Sequence, residues 1–174
     1  MDLFTTVLAG VLVFSISQIF LKWMIEPIQE LRKTISEILF HLANDHSTIH
    51  TPGAFDKQEV LSICKNFERL GARLLACEKL IPFYKYTRIF FKLPKSENIK
   101  YASKKLSLIS KSTGGKEKEI NYLLDLYRIN TCEALGLEDP IQGGMTKKEL
   151  IDGINEIRNQ SKLHFSLVNK PKIT

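Results

Sequence analysis

The sequence lacks a disulfide or zinc framework, an alternating strand pattern and an internal repeat, and its first two dozen residues carry almost no charge. Each absence excludes something. Cys64, Cys77 and Cys132 stand far apart with no C-x-x-C pair, so neither a stapled secreted scaffold nor a cysteine zinc site is expected. Without period-two alternation no sheet is expected, and without repeats no solenoid. Residues 3–21 hold no Asp, Glu, Lys or Arg, so the net charge of +6 sits outside that run. The basic remainder suits nucleic acid phosphates or anionic lipid headgroups. Charge alone does not choose between them, and direct nucleic-acid binding stays open. With 44% apolar and 25% charged residues in 174, the composition is that of one globular unit and not of a disordered chain.

The charge-free run is the strongest signal. Nineteen residues at the helical rise cover roughly 28 Å, the thickness of a bilayer's hydrocarbon core, so residues 1–25 read as a single transmembrane helix. Lys22 and Trp23 stand where a cation and an aromatic ring meet the headgroups. A secretory signal would want a basic start and an Ala-x-Ala cleavage site, and Met1-Asp2 supplies neither. Lys22, Arg32 and Lys33 follow the run while no basic side chain precedes it, which predicts a cytoplasmic location for residues 26–174 and an outside N-terminus. Within the run Thr6, Gly10, Val13 and Ser17 recur at i, i+4, i+7 and i+11, a small and partly polar stripe with Gln18 beside it. Such a stripe suits self-association or the wall of a pore built from several copies, and a carboxamide is costly against lipid. The plainer alternative is a scatter of tolerated small residues.

Pro27 predicts a break or kink just past Trp23, with a new helix restarting around the proline. Ile28, Leu31, Ile35, Ile38, Leu39 and Leu42 then form an amphipathic face. His46 and His50 are four apart, but Asn44, Asp45, Thr51, Pro52 and Gly53 mark that stretch as a loop, where helical spacing means little; no metal and no cofactor are expected. Asp56 and Glu59 cap a helix with the face Val60, Ile63, Cys64, Phe67, Leu70, Gly71 and Leu74, ending before Pro82. Residues 83–93 mix Phe83, Tyr84, Tyr86, Phe90 and Phe91 with Lys85, Arg88 and Lys92, a combination that packs, stacks on bases or sits at a lipid interface; the nearby anchor favours lipid over bases. Further helices are predicted from Lys95 through Ile99, Ala102, Leu106 and Ile109, and over 116–135 with a stop at Gly136. A last one is capped by Thr146 and Glu149, with Leu150, Ile154 and Ile157 inward.

That last helix carries Arg158-Asn159-x4-His164. A histidine exchanges a proton near neutral pH, an arginine holds a phosphate, and an asparagine orients both, which suits metal-independent attack of an RNA 2'-hydroxyl on its phosphate. The pattern resembles the motif of HEPN domains, small helical bundles that carry it on a late helix facing a dimer partner. The fold expected is therefore all-α, a single N-terminal transmembrane helix followed by a cytoplasmic HEPN-like helical bundle.

Taken with Glu26-Pro27-Ile28-Gln29-Glu30-Leu31-Arg32 directly after the span, the chain resembles the small membrane accessory proteins encoded beside the RNA-guided RNase of type VI-B CRISPR systems. The resemblance implies a homo-oligomeric ring, an octamer, whose spans enclose a pore in the bacterial inner membrane. It also implies that the pore permeabilises or depolarises that membrane in antiphage defence once the RNase is active. For Arg158, Asn159 and His164 it implies assembly or regulation and no catalysis. Two other readings remain from the residues: a tethered HEPN ribonuclease, and an anchored adaptor without a pore.

Overall fold

The computed structural model describes residues 3–113, 118–141 and 144–168, with the side chains of 118 and 160–168 left aside. Every regular element among the described residues is helical. α1 (Leu3–Phe20) continues through a π-helical turn (Leu21–Ile25) into α2 (Glu26–Asn44), making one helix of 42 residues, about 63 Å long. Of the break or kink expected just past Trp23, the break is absent, and the irregularity there is this wider turn. Pro27 does sit in the first turn of α2, but its missing N–H and its crowding of the carbonyl four residues back are absorbed by the wider winding, in which the Glu26 N–H reaches Leu21 O.

α2 buries Ile28, Leu31, Thr34, Ile35, Ile38 and Leu42, the predicted face with a threonine added and Leu39 only partly buried. Thr34 is tolerated there because its hydroxyl donates to Glu30 O at 2.9 Å. A second departure follows: the stretch expected as a loop forms the short helix α3 (His46–His50), then a 3-10 turn (Pro52–Ala54). Asp45, buried at the junction, ties back to the end of α2, accepting from the Asn44 amide at 2.7 Å while it meets His41 Nδ1 at 2.8 Å.

α4 (Lys57–Leu80) is the central rod. Asp56 caps it by accepting from Gln58 N at 3.2 Å, and Phe67, Leu70 and Leu74 are fully buried. It packs against α2 on one side and α6 (Ser96–Ser112) on the other. Gly71 permits the closer approach, since a Cβ there would lie 3.2 Å from Ser103 O. α5 (Tyr84–Phe91) is a short excursion between α4 and α6. α7 (Lys118–Leu135) lies on α6 and ends at Gly136, whose φ of +71° lets Leu137 N close back on Cys132 O at 2.8 Å. α8 (Lys147–Val168) covers α7; its capping box is formed in full, with Thr146 N donating to Glu149 Oε2 at 2.7 Å and Glu149 N to Thr146 Oγ1 at 3.4 Å.

Candidate membrane anchor and interfacial collar

α1 takes no part in this core. None of its side chains is buried, and it is long and apolar enough to cross a bilayer. Leaving a large apolar side chain in water costs about 1.5–3 kcal/mol each, so a helix carrying Leu3, Phe4, Val7, Leu8, Val11 and more in this state needs lipid or protein around it. Thr6, Gly10, Val13, Ser17 and Gln18 are all exposed along it. Ser17 spends its hydroxyl inside the helix, donating to Val13 O at 2.7 Å. A Cβ at Gly10 would meet nothing within 4 Å, so that position is open to close approach. The Gln18 carboxamide makes no hydrogen bond to any described residue.

Where α1 ends, a second apolar surface begins. α5 is bracketed by two non-glycine residues in the left-handed region, Phe83 at φ 49° and Lys92 at φ 52°. Such residues cost of order 1 kcal/mol each and persist only where surroundings hold them. Here Thr87 Oγ1 donates to Pro82 O at 2.9 Å, Tyr84 OH to Pro94 O at 2.8 Å, and Arg32 Nη2, from α2, to Phe91 O at 2.9 Å. Burial, with Glu78 nearby, pushes the Tyr84 phenol up to about 12, in keeping with its role as a donor.

The aromatic residues of 83–93 divide in two. Tyr84 and Phe91 pack on the core, whereas Phe83, Tyr86 and Phe90 stand 70%, 70% and 82% exposed, with the aliphatic Ile89 68% exposed beside them. Phe83, Tyr86 and Phe90 line a cleft of about 480 Å³ together with Phe20 and Met24 from the foot of the span. Trp23 meets Phe83 edge-on, with centroids 6.4 Å apart and planes at 88°. An aromatic collar thus flanks the end of the apolar helix. Lys22 is exposed at that end. Lys85 and Arg88 border a different recess, with Glu78 and Glu97, and Lys92 is exposed at the end of α5. The sequence names Phe83, Tyr86 and Phe90 as rings that could pack or sit at an interface, but it does not separate them from the packed Tyr84 and Phe91, although their i, i+3, i+7 spacing was visible in it.

Of the HEPN-like pattern, Arg158 and Asn159 have described side chains and His164 does not. Arg158 is exposed and bound to Glu119 of α7, Nε to Oε1 at 2.6 Å; Asn159 is exposed; the side chain of His164 lies outside the described residues. The inward side of α8 is as expected, with Leu150 and Ile154 buried and Ile157 partly so. One cluster among the described residues, His46, His50 and Asp125, has a donor set that would suit a metal. Comparison with known protein families, with characterised proteins and with solved structures finds no match to this chain.

Proposed function

We propose that the chain is a membrane-anchored, self-associating helical protein whose copies line a pore, acting as an accessory effector that permeabilises or depolarises a bacterial inner membrane. The observation that carries this reading is an apolar helix with no side chain buried, joined without interruption to a packed bundle. Only helices or closed barrels satisfy their backbone in lipid, and one helix cannot enclose a path, so a pore requires several copies. The stripe through Gly10, with Gln18 unpartnered beside it, gives a face on which copies can meet or water can run. Lys22, Arg32 and Lys33 after the span set the bundle on the cytoplasmic side. By the resemblance to accessory proteins of type VI-B CRISPR systems, the trigger would be the activated RNA-guided RNase and the context antiphage defence.

The test is the mass and symmetry of the full-length protein in detergent, followed by dye release from liposomes. A ring with a continuous lumen and dye release, both weakened in Gln18→Leu, are expected. A strictly monomeric protein that releases no dye refutes the pore and leaves an anchored adaptor. Metal-independent RNA cleavage lost in His164→Ala would instead favour the ribonuclease; Arg158, held by Glu119, would first have to change partners to hold a phosphate.

A further inference from the structure

The histidine pair that composition alone marks as loop becomes, in the folded bundle, half of a coordination geometry. α3 sets His46 and His50 one turn apart with stacked rings, centroids 4.2 Å apart and planes 28° from parallel. Both Nε2 atoms face the same oxygen of α7, Asp125 Oδ1, at 3.3 Å and 3.4 Å. All three donor atoms lie within 4.8 Å of one another. A tetrahedral zinc ion bound at about 2.0–2.1 Å holds its ligand atoms about 3.3–3.4 Å apart, so the two nitrogen–oxygen distances are already those of the tetrahedron's edges.

The hydrogen positions point the same way. His50 Nδ1 lies 2.9 Å from the His46 carbonyl oxygen. A carbonyl only accepts, so Nδ1 carries the hydrogen and Nε2 of the neutral ring is a lone pair. That Nε2 is buried and makes no hydrogen bond, although a carboxylate oxygen stands 3.4 Å away. Two acceptors facing each other at a buried position call for a cation between them. A proton serves for one ring. Protonating His50 would place an imidazolium beside Arg128, whose Nη2 is 3.1 Å from the same Asp125 oxygen, whereas His46 can meet that oxygen at 3.3 Å as a neutral ring with its hydrogen on Nε2. Fixing Nδ1 on a backbone carbonyl is also how metal-bound histidines aim Nε2 at their ion.

We propose that His46, His50 and Asp125 bind one divalent ion of the zinc class, with a fourth position open to the adjoining cavity. That cavity, about 910 Å³, is bordered by His50 and by Asn121, one turn before Asp125 on α7. Asn121 holds a buried Oδ1 with no hydrogen-bond partner, a donor for the fourth position directly or through water. Two imidazoles with one carboxylate favour zinc over magnesium or calcium, which want oxygen ligands. Arg128 does not exclude the ion, because its guanidinium is shared with Asp139 and two carboxylates therefore face the combined positive charge. The site pins α3 to α7 at the end of α2 remote from the span, about 30 Å along the helix from Glu26, and stands independently of the pore reading.

The experiment uses full-length protein in detergent without a polyhistidine tag, stripped with EDTA and titrated with cobalt(II) as the visible stand-in for zinc. One equivalent per chain should give the intense bands of tetrahedral cobalt, zinc should displace it, and His50→Ala should weaken binding about 100-fold or more. Wild-type protein that yields only the pale octahedral spectrum overturns the proposal, as do bands of unchanged strength in folded His46→Ala or His50→Ala protein. Since losing a histidine can also loosen α3, the wild type supplies a second readout. Zinc should shield His46 and His50 from carbethoxylation mapped by mass spectrometry, and equal modification with and without zinc overturns the assignment.

Discussion

An arginine in place of Leu12, near the middle of α1, tests whether that helix is held by lipid. α1 carries three leucines, three valines, three phenylalanines and two isoleucines, all exposed. At about 0.3–0.6 kcal/mol each toward membrane insertion, they contribute roughly 3–7 kcal/mol, part of which Thr5, Thr6, Ser15, Ser17 and Gln18 offset. A central arginine costs about 2.5–3.5 kcal/mol and one leucine is lost, so Leu12→Arg swings the balance by about 3–4 kcal/mol, comparable with the whole net preference. That is a shift of a few hundred-fold in the partition. Because α1 buries nothing against the bundle, the bundle helices should fold as before, and circular dichroism of released protein should retain its helical signal. Alkaline carbonate extraction reads the result: wild type in the pellet, Leu12→Arg largely in the supernatant. Wild type that washes free, or Leu12→Arg that pellets as fully as wild type, refutes the reasoning.

Three other outcomes are expected. Arg128→Met, measured with EDTA present, should lower unfolding stability by about 2–3 kcal/mol in a urea titration, less than the 3–5 kcal/mol of a fully buried pair because Asp125 and Asp139 keep some exposure to water. Lys92→Gly should raise it by about 1 kcal/mol, since glycine adopts the φ of 52° at the end of α5 without a side-chain clash. The Arg73 guanidinium, hydrogen-bonded to Glu30, holds that carboxyl below its ordinary 4.5. The stabilisation is therefore present above pH 4.5 and is lost as the pH falls through the lower folded value. The melting temperature should drop over that interval in wild type and less steeply in Glu30→Gln.

Elements whose signals are local were legible in the sequence. The face of α2, the caps at Asp56 and Thr146 and the stop at Gly136 each depend on residues within a few positions of one another, and each is formed as expected. α3 was not legible because five residues of Ser, Thr, Ile and His show no period, and its stabilising partner Asp125 is 79 positions from His46. The π-helical turn escaped for a different reason: Pro27 announces that the backbone must yield, not whether it breaks or widens. In α5 the composition gave the mixture of rings and cations, but only the packing of Tyr84 and Phe91 decides which rings stay outside. The HEPN-like pattern shows the limit from the other side, since six residues of spacing say nothing of Glu119 waiting across α7 for Arg158.

The widened turn at Leu21–Ile25 also sets an azimuth. In an unbroken α-helix, Ser17 and Ile28 are eleven residues apart and point almost the same way, so the stripe through Thr6, Gly10 and Val13 would stand directly above the side of α2 that enters its own bundle. One extra residue in the winding turns the stripe away by roughly a quarter revolution. It then looks sideways, past its own bundle, and deleting a single residue between Leu21 and Ile25 would swing it back.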